Sequence, residues 1–445
     1  MNRKEFLKTA SIAAVGMAAL PRFSFGAGGK GSDKIKVAFV GCGGRARGAI
    51  QNMTDADENI EIVALADIFD RQIQDFTSST RAYVDRKKKG GADAFWKDYW
   101  KVTPQTCFVG MDSIDQVLKT DADVVALVTP PCFRTSQIEK CLNAGKHVFA
   151  EKPICIDAVQ LRKIYDELIP LADKKGLKVL CGTQMRYHKW IAEAVDKIRS
   201  GDIGDVLATD CFRYEGSYLT RGTYNPAWVG EMSPEQVKFQ LINWLGFIWT
   251  SGDQIVEQYV HNLDIALWAL GKLPYEVIGS GGRSTNLSYP LQGDRFSNMH
   301  GHLTFDGGIV MNAECRQEFG TTPFSALEIY GTKGKASLTF GKQYFYDTKG
   351  KLVWESSGDR KPELICEHEA LFGAIRGGTA FNTLKACADS CYVGIAIREA
   401  SYAGKRVKCE FFRKKSELSL VPADLKLDGI KKLAPVPNPV EYKLV

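Results

Sequence analysis

No basic run in this chain is longer than the four residues from Arg86 to Lys89, and that tract ends at Gly90-Gly91. A nucleic-acid surface calls for a denser stripe of Lys and Arg, with aromatics placed to stack on bases. The tract therefore reads as a solvated helix end, and no nucleic-acid partner is expected. Cys-x-x-Cys pairs and Cys/His clusters at zinc spacing are also missing, which excludes the common structural zinc modules. Of the twelve cysteines, Cys42 falls in a glycine turn, Cys181 ends an apolar run, and Cys387 and Cys391 share one helix face. Buried small hydrophobes, rather than disulfides, are the expectation for most of them. His300 and His302 share a strand face, but no third ligand stands at a matching spacing, and a catalytic zinc usually takes three protein ligands. Two sheet-surface histidines and no metal are expected. No internal repeat is visible.

What is present is an ordinary globular composition, 44% hydrophobic and 25% charged over 445 residues. That length exceeds what one core usually supports, so two domains are expected. Residues 1–27 stand apart. Arg3 and Lys4 precede Phe6-Leu7-Lys8, an apolar stretch runs from Ala10 to Leu20, and Pro21 leads to a small-residue end at Gly26-Ala27. A basic start, a short apolar middle and a small-residue exit describe an export signal, too short for a permanent span. Arg3-Lys4-x-Phe6-Leu7-Lys8 is similar to a twin-arginine signal with Lys for the second Arg. Such a route carries folded proteins and implies a periplasmic or otherwise exported location, with no membrane span after processing. If the signal is unused, the protein stays in the cytoplasm. Removing the segment takes four basic residues and one acid, and the net charge drops from +6 to +3.

From Ile35 onward short apolar runs alternate with helical periodicity. Strands are expected at Ile35 to Val40, Ile60 to Ala66, Asp123 to Val128, His147 to Ala150 and Lys178 to Cys181. Helices are expected after the first glycine turn to about Met53, from Asp70 to Arg86 and from Arg134 to Ala144, with another carrying Leu161, Ile164, Leu168 and Leu171 on one face. Residues 87–104 read as an inserted loop. This alternation gives parallel βαβ units in a doubly wound sheet. Past Gly204 the strands lengthen and alternate, at Val206 to Tyr214, Val277 to Gly281, Met299 to Phe305, Ile309 to Ala313 and Ala326 to Tyr330. A last long helix spans Leu384 to Tyr402. The expected fold is α/β, an N-terminal Rossmann sheet over 34–152 followed by an α+β domain over 153–415. The second domain carries a large open, mostly antiparallel sheet. Residues 416–445 form an extended arm.

Gly41-Cys42-Gly43-Gly44-Arg45-Ala46 fits G-x-G-x-x-G/A directly after a strand and at the opening of a helix. Glycines there let backbone N–H groups approach a pyrophosphate at the helix N-terminus. Asp67, at the end of the next strand, stands about where a ribose-binding carboxylate belongs. A carboxylate accepts from both ribose hydroxyls and repels a 2′-phosphate, so NAD is favoured over NADP. A helix cap is the competing role for Asp67.

Four motifs then follow in order: Gly41 to Ala46, Thr129-Pro130-Pro131, Gly145-Lys146-His147-Val148 and Glu151-Lys152-Pro153. In this order they resemble the glucose–fructose oxidoreductase and inositol dehydrogenase family (Gfo/Idh/MocA) over nearly the whole chain past residue 27. The resemblance implies that Thr129, Pro130, Pro131, Glu151 and Lys152 join the glycine turn around the cofactor. It also implies that Lys152 sits beside the nicotinamide and the reacting hydroxyl, where a cation stabilises a developing alkoxide. Burial near a second cation would tune such a lysine. An apolar stripe, Val256, Val260, Leu263, Leu267 and Leu270, marks a helix from Gln254 to Gly271, with Glu257, His261, Asp264 and Trp268 on a neighbouring face. The family pattern is Asp-x-x-x-His with the histidine as acid/base; here Glu257 replaces the Asp and His261 fills the histidine position. Arg186, in Gly182-x-x-x-Arg186, matches a position that reaches the active site in similar proteins. Arg134 stands where the family often has His, which leaves that nicotinamide-side contact open.

Between Arg213 and Trp249 aromatics interleave with polar residues: Tyr214, Tyr218, Arg221, Tyr224, Trp228, Asn243 and Trp244. Ring faces stack on sugar C–H faces while polar groups meet hydroxyls; an interface or a packed loop has a similar composition. The expected substrate set is Arg186, Tyr214, Trp228, Asn243, Trp244 and Asp264, and the expected partner is a carbohydrate or polyol. The resemblance implies a homodimer or homotetramer. The activity it implies is hydride transfer between a sugar or cyclic polyol carbon and NAD, tightly held because free NAD is not expected outside the cytoplasm. Two alternatives stay open: a redox-neutral NAD-dependent glycosidase or lyase working through a transient keto-sugar, and a sugar- or nucleotide-binding protein without turnover.

Overall fold

The computed structural model describes residues 34–87, 91–216, 230–285 and 287–445. The export segment (1–27) and Tyr218, Arg221, Tyr224 and Trp228 lie outside the described residues. Short apolar runs set the first layer: β1 (Ile35–Val40), β2 (Ile60–Asp67), β3 (Cys107–Val109), β4 (Val124–Leu127), β5 (His147–Ala150) and β6 (Val179–Cys181). They form one sheet in the order β3-β2-β1-β4-β5-β6, with every neighbouring pair parallel. Crossover helices cover both faces, so Val37 to Phe39 and Val124 to Leu127 are buried without alternation. Strand order reverses between β1 and β4, which opens a crevice at their carboxyl ends.

Two expectations for this half are corrected. The boundary at residue 152 falls inside the sheet, because β6 pairs with β5 from Val148–Val179 to Ala150–Cys181. The expected loop at 87–104 contains the helix Ala92–Tyr99. Its aromatics stand one helical turn apart and stack, Phe95 on Tyr99 at 5.2 Å and Trp96 on Trp100 at 4.6 Å. Buried Tyr99 accepts a hydrogen bond from Thr54 Oγ1 at 2.8 Å.

The second sheet contains β7 (Val206–Glu215), β8 (Glu276–Gly282), β9 (Asn298–Thr304), β10 (Val310–Gln317), β11 (Phe324–Gly331), β12 (Gly334–Leu338), β13 (Gln343–Asp347), β14 (Leu352–Glu355) and β15 (Arg406–Lys408). Its order is β14-β13-β12-β11-β7-β10-β9-β8-β15, antiparallel except where β10 runs parallel to β7. One face packs on the buried helix Leu384–Ala403 and on Val260–Leu270. Along β9 and β10 buried residues alternate with half-buried ones, which marks a sheet packed on one side. His300 and His302 are among the half-buried set, and His302 Nδ1 lies 2.9 Å from Asn312 Oδ1. Among the described residues no group of three or more His, Cys, Asp or Glu is placed to hold a metal ion.

All twelve cysteines carry free thiols, and all but Cys107 are buried. Residues 416–445 run without helix but lie back on the body of the protein. The Leu420 amide donates to Asp157 Oδ2 at 2.9 Å, and the Tyr442 hydroxyl donates to Glu399 Oε2 at 2.5 Å. No helix among the described residues is long and apolar enough to cross a membrane.

Candidate active site

The site starts at the turn leaving β1. Gly41 has φ +88°, and a Cβ there would lie 2.7 Å from the Thr129 amide nitrogen, so only glycine lets the turn rest against the end of β4. Gly43 caps the helix Gly44–Ala56 and faces open space. The first amides of that helix lack partners of their own and favour an anion. At the end of β2, Asp67 accepts the Cys42 N–H at 2.7 Å and the Phe69 N–H at 2.9 Å. Burial pushes its carboxyl above the usual range, and these amides pull it back only in part.

Gly41, Gly43, Gly44, Arg45, Asp67, Thr129 and Pro130 open onto one cavity of about 560 Å³. That volume lies within the usual range for small-molecule sites. The same cavity reaches Glu151, Lys152, Glu257 and His261, and beyond them a wall of Leu241, Ile242, Trp244 and Leu245. Glycine turn, lysine and histidine, brought from three separate stretches of chain, thus share one space.

The helix expected from Gln254 to Gly271 is two helices, Gln254–Glu257 and Val260–Leu270. In an unbroken α-helix the Glu257 carbonyl would accept the His261 N–H. Here the His261 N–H turns to Gln258 O at 3.4 Å, and Lys152 Nζ donates to Glu257 O at 2.6 Å and to Glu257 Oε1 at 2.9 Å. Tyr259 secures the break by donating its hydroxyl to the Cys211 carbonyl on β7 at 2.5 Å. Glu257 therefore holds Lys152 rather than His261, and the immediate neighbour of the lysine is a carboxylate, not the expected second cation. An ammonium has three donors, so one remains for a ligand. Burial, then the positive charges of Lys152, Arg213 and Arg45, hold the His261 imidazole well below its ordinary value. It is neutral near pH 7 and able to accept a proton.

The loop carrying Lys152, whose bond to Pro153 is cis, is clamped from two sides. Arg134 is buried, and its guanidinium donates to the Lys152 carbonyl, to Pro153 O at 2.9 Å and to Thr129 O at 2.5 Å. It lines the cavity, and its Nη1 and Nη2 tie the Thr129 and Lys152 loops together. On the other side Arg45 Nε meets Glu151 Oε1 at 2.5 Å, and Arg45 Nη2 lies 3.6 Å from Glu367. Glu367 is fully buried, and burial raises its carboxyl well above the usual range. A Cβ at Gly182 would press on Glu151 Oε2 at 2.7 Å, so glycine leaves the carboxylate its room.

Several expected site residues do not line this cavity. Arg186 and Asp264 pair with each other, Nε to Oδ2 at 2.8 Å and Nη2 to Oδ1 at 2.9 Å, with Ser390 Oγ also donating to Asp264. Their charges satisfy one another in the core. Tyr214 sits on β7 opposite Phe324 and Arg316 and hydrogen-bonds Glu314, on the half-buried sheet face away from buried Cys211 and Arg213. Asn243 is buried and caps the Phe239 carbonyl at 3.0 Å. The Cys42 side chain points into the core, and Pro131 is the buried first residue of the helix Pro131–Asn143. Trp244 does reach the cavity. Gln137, Gln184, Gln258 and Leu364 also line it; of these only Gln258, beside Glu257, carries a sequence signal.

A parallel sheet with a glycine turn at its switch point, joined to a lysine–histidine pocket, defines a nucleotide-binding oxidoreductase fold. Residues 35–183 match the oxidoreductase family with an NAD-binding Rossmann fold, and residues 191–337 match the GFO/IDH/MocA C-terminal domain. The chain belongs to this family. It is 26% identical over 217 residues to scyllo-inositol 2-dehydrogenase (NAD(+)) of Bacillus subtilis, covering 48% of this chain and 54% of that protein. It is 24% identical over 237 residues to 2,7-anhydro-N-acetylneuraminate hydratase of Escherichia coli, covering 52% and 55%. The chain spans about half the length of these curated relatives. A solved structure of levoglucosan dehydrogenase in complex with NADH shares the fold, with a TM-score of 0.64 at 16% identity, over 85% of this chain and 99% of that one.

Proposed function

We propose that the protein oxidises a secondary hydroxyl of a sugar or cyclic polyol with NAD. The observation that carries this reading is that Lys152, with one ammonium donor free, and a neutral His261 open onto the cavity that also holds the glycine turn and Asp67. NAD, when bound, would supply the hydride acceptor. The remaining tasks belong to the chain: Lys152 donates to the reacting oxygen and steadies its developing charge, while His261 accepts the hydroxyl proton. Glu257 keeps the lysine in place. Trp244, Leu241, Ile242 and Leu245 offer an apolar wall to the C–H face of the ring. The Asp67 carboxylate, fixed by two backbone N–H groups, suits a ribose diol and disfavours a 2′-phosphate, which supports NAD over NADP.

The first 27 residues are proposed as an export signal, and the half-buried face of the second sheet as the contact between copies in a dimer or tetramer. In an exported protein the nucleotide would stay tightly bound and be recycled on the enzyme. The hydratase among the relatives keeps a redox-neutral reaction as the second reading. The deciding experiment compares wild type and Lys152→Ala for sugar binding and nucleotide reduction. Retained binding with reduction lost supports the dehydrogenase. Sugar binding without nucleotide reduction by the wild type leaves a binding protein, and release of an aglycone without net reduction leaves the redox-neutral enzyme.

A further inference from the structure

Gln258 lies between the residue that anchors Lys152 and the residue that accepts the proton, and it lines the same cavity. Its orientation is set from behind. Arg213 Nη2 donates to Gln258 Oε1 at 3.4 Å, and the guanidinium is itself held by Glu215 at 2.9 Å, by Asn262 Oδ1 at 3.2 Å and over the Phe340 ring at 5.1 Å. Arginine can only donate, so the amide must present its oxygen to Arg213 and its NH₂ to the other side. Asn262 is also tied down, donating to the Phe212 carbonyl at 3.0 Å. The Gln258 amide nitrogen has no hydrogen bond among the described residues, and the backbone at this point is fixed by the Gln258 N–H to Gln254 O bond at 2.9 Å.

We infer that Gln258 reads the substrate: its NH₂ donates to an oxygen on the carbon next to the one oxidised. The site then selects vicinal polyols over isolated alcohols. The inference rests on the dehydrogenase reading above. Donation fits a neighbouring hydroxyl oxygen and leaves Lys152 and His261 free for the reacting oxygen. A site built to hydrogen-bond a hydroxyl rejects the analogue lacking it, because the donor is left unpaired.

The test uses the NAD-loaded protein with D-glucose, D-galactose, myo-inositol and scyllo-inositol as probes, each beside its mono-deoxy analogue, such as 2-deoxy-D-glucose. For the parent sugar, Gln258→Leu should lower kcat/KM about tenfold, mostly through KM. The deoxy analogue should be turned over as by wild type, so that discrimination between the two disappears. Gln258→Glu, of similar size but unable to donate when ionised, should behave like Gln258→Leu. NAD affinity should not change in either variant, which separates a reading role from a folding defect. Discrimination that survives in both variants overturns the inference alone. A wild type that reduces its nucleotide with none of the probes overturns the dehydrogenase reading and this inference with it.

Discussion

Glu257→Gln is the sharpest perturbation of the lysine site. Lys152 and Glu257 keep only 10% and 6% of their side-chain surface exposed, and Nζ lies 2.9 Å from Oε1. At an effective dielectric of about 20, that separation corresponds to an attraction of about 6 kcal/mol before desolvation is counted. Removing one partner of a buried pair typically costs about 3–5 kcal/mol. The glutamine oxygen and the Glu257 backbone carbonyl can still accept from the ammonium, so a loss of about 2–3 kcal/mol is expected. Removing both charges in Lys152→Met with Glu257→Gln should recover much of it, giving a coupling energy of about 1–2 kcal/mol in the double-mutant cycle. Denaturant unfolding of the wild type, the two single variants and the double variant measures this directly. Glu257→Gln should also lower kcat by about 10- to 100-fold, because the lysine is no longer held in register with the substrate oxygen. Strictly additive effects in the cycle would refute the claim that Glu257 acts through Lys152.

Three further outcomes follow from the buried charges. With His261 held below its ordinary value by burial and three cations, the acid limb of the pH–rate profile should lie below the usual histidine value of about 6.5; a limb above that value would contradict a neutral base. The unfolded chain binds protons at His261 and at fully buried His368 that the folded protein refuses. Stability should therefore fall as pH drops through about 6.5, and His368→Phe should reduce that slope by up to about 1.4 kcal/mol per pH unit, read from denaturant midpoints. Glu367 has the opposite sign: its raised folded value contributes stability at acid pH that is lost as pH rises. Glu367→Gln should therefore raise the melting temperature by a few degrees at alkaline pH and by less near the ordinary glutamate value.

What was legible in the sequence was local. The strand, glycine turn, helix and Asp67 lie within one contiguous stretch, and their geometry follows from residue order. Glu257 and His261 were found as neighbours, but for an incomplete reason. An unbroken helix explains their spacing, whereas in the structure the helix is broken and Lys152, 105 positions away, takes the Glu257 carbonyl. Arg186 and Asp264 each read as site residues, and only the fold shows that they neutralise one another across 78 positions. Alternation along β7 separates two faces without saying which one packs on the helix bearing His261; Arg213 lies on that face and Tyr214 on the other. The helix Glu363–Gly377 carries a weak sequence signal because Glu367 and His368, both fully buried, interrupt the apolar face that would announce it. The short hairpin strands β12 to β14 offered too few residues for a clear alternation.

The central claim is tested most directly by what the protein carries. Purified without added nucleotide, it would be denatured and the released small molecules identified by mass and absorbance, and the intact protein would then be offered sugars and cyclic polyols. The expected result is bound NAD that at least one of them reduces. Protein that releases no nucleotide and binds no added NAD would contradict the account.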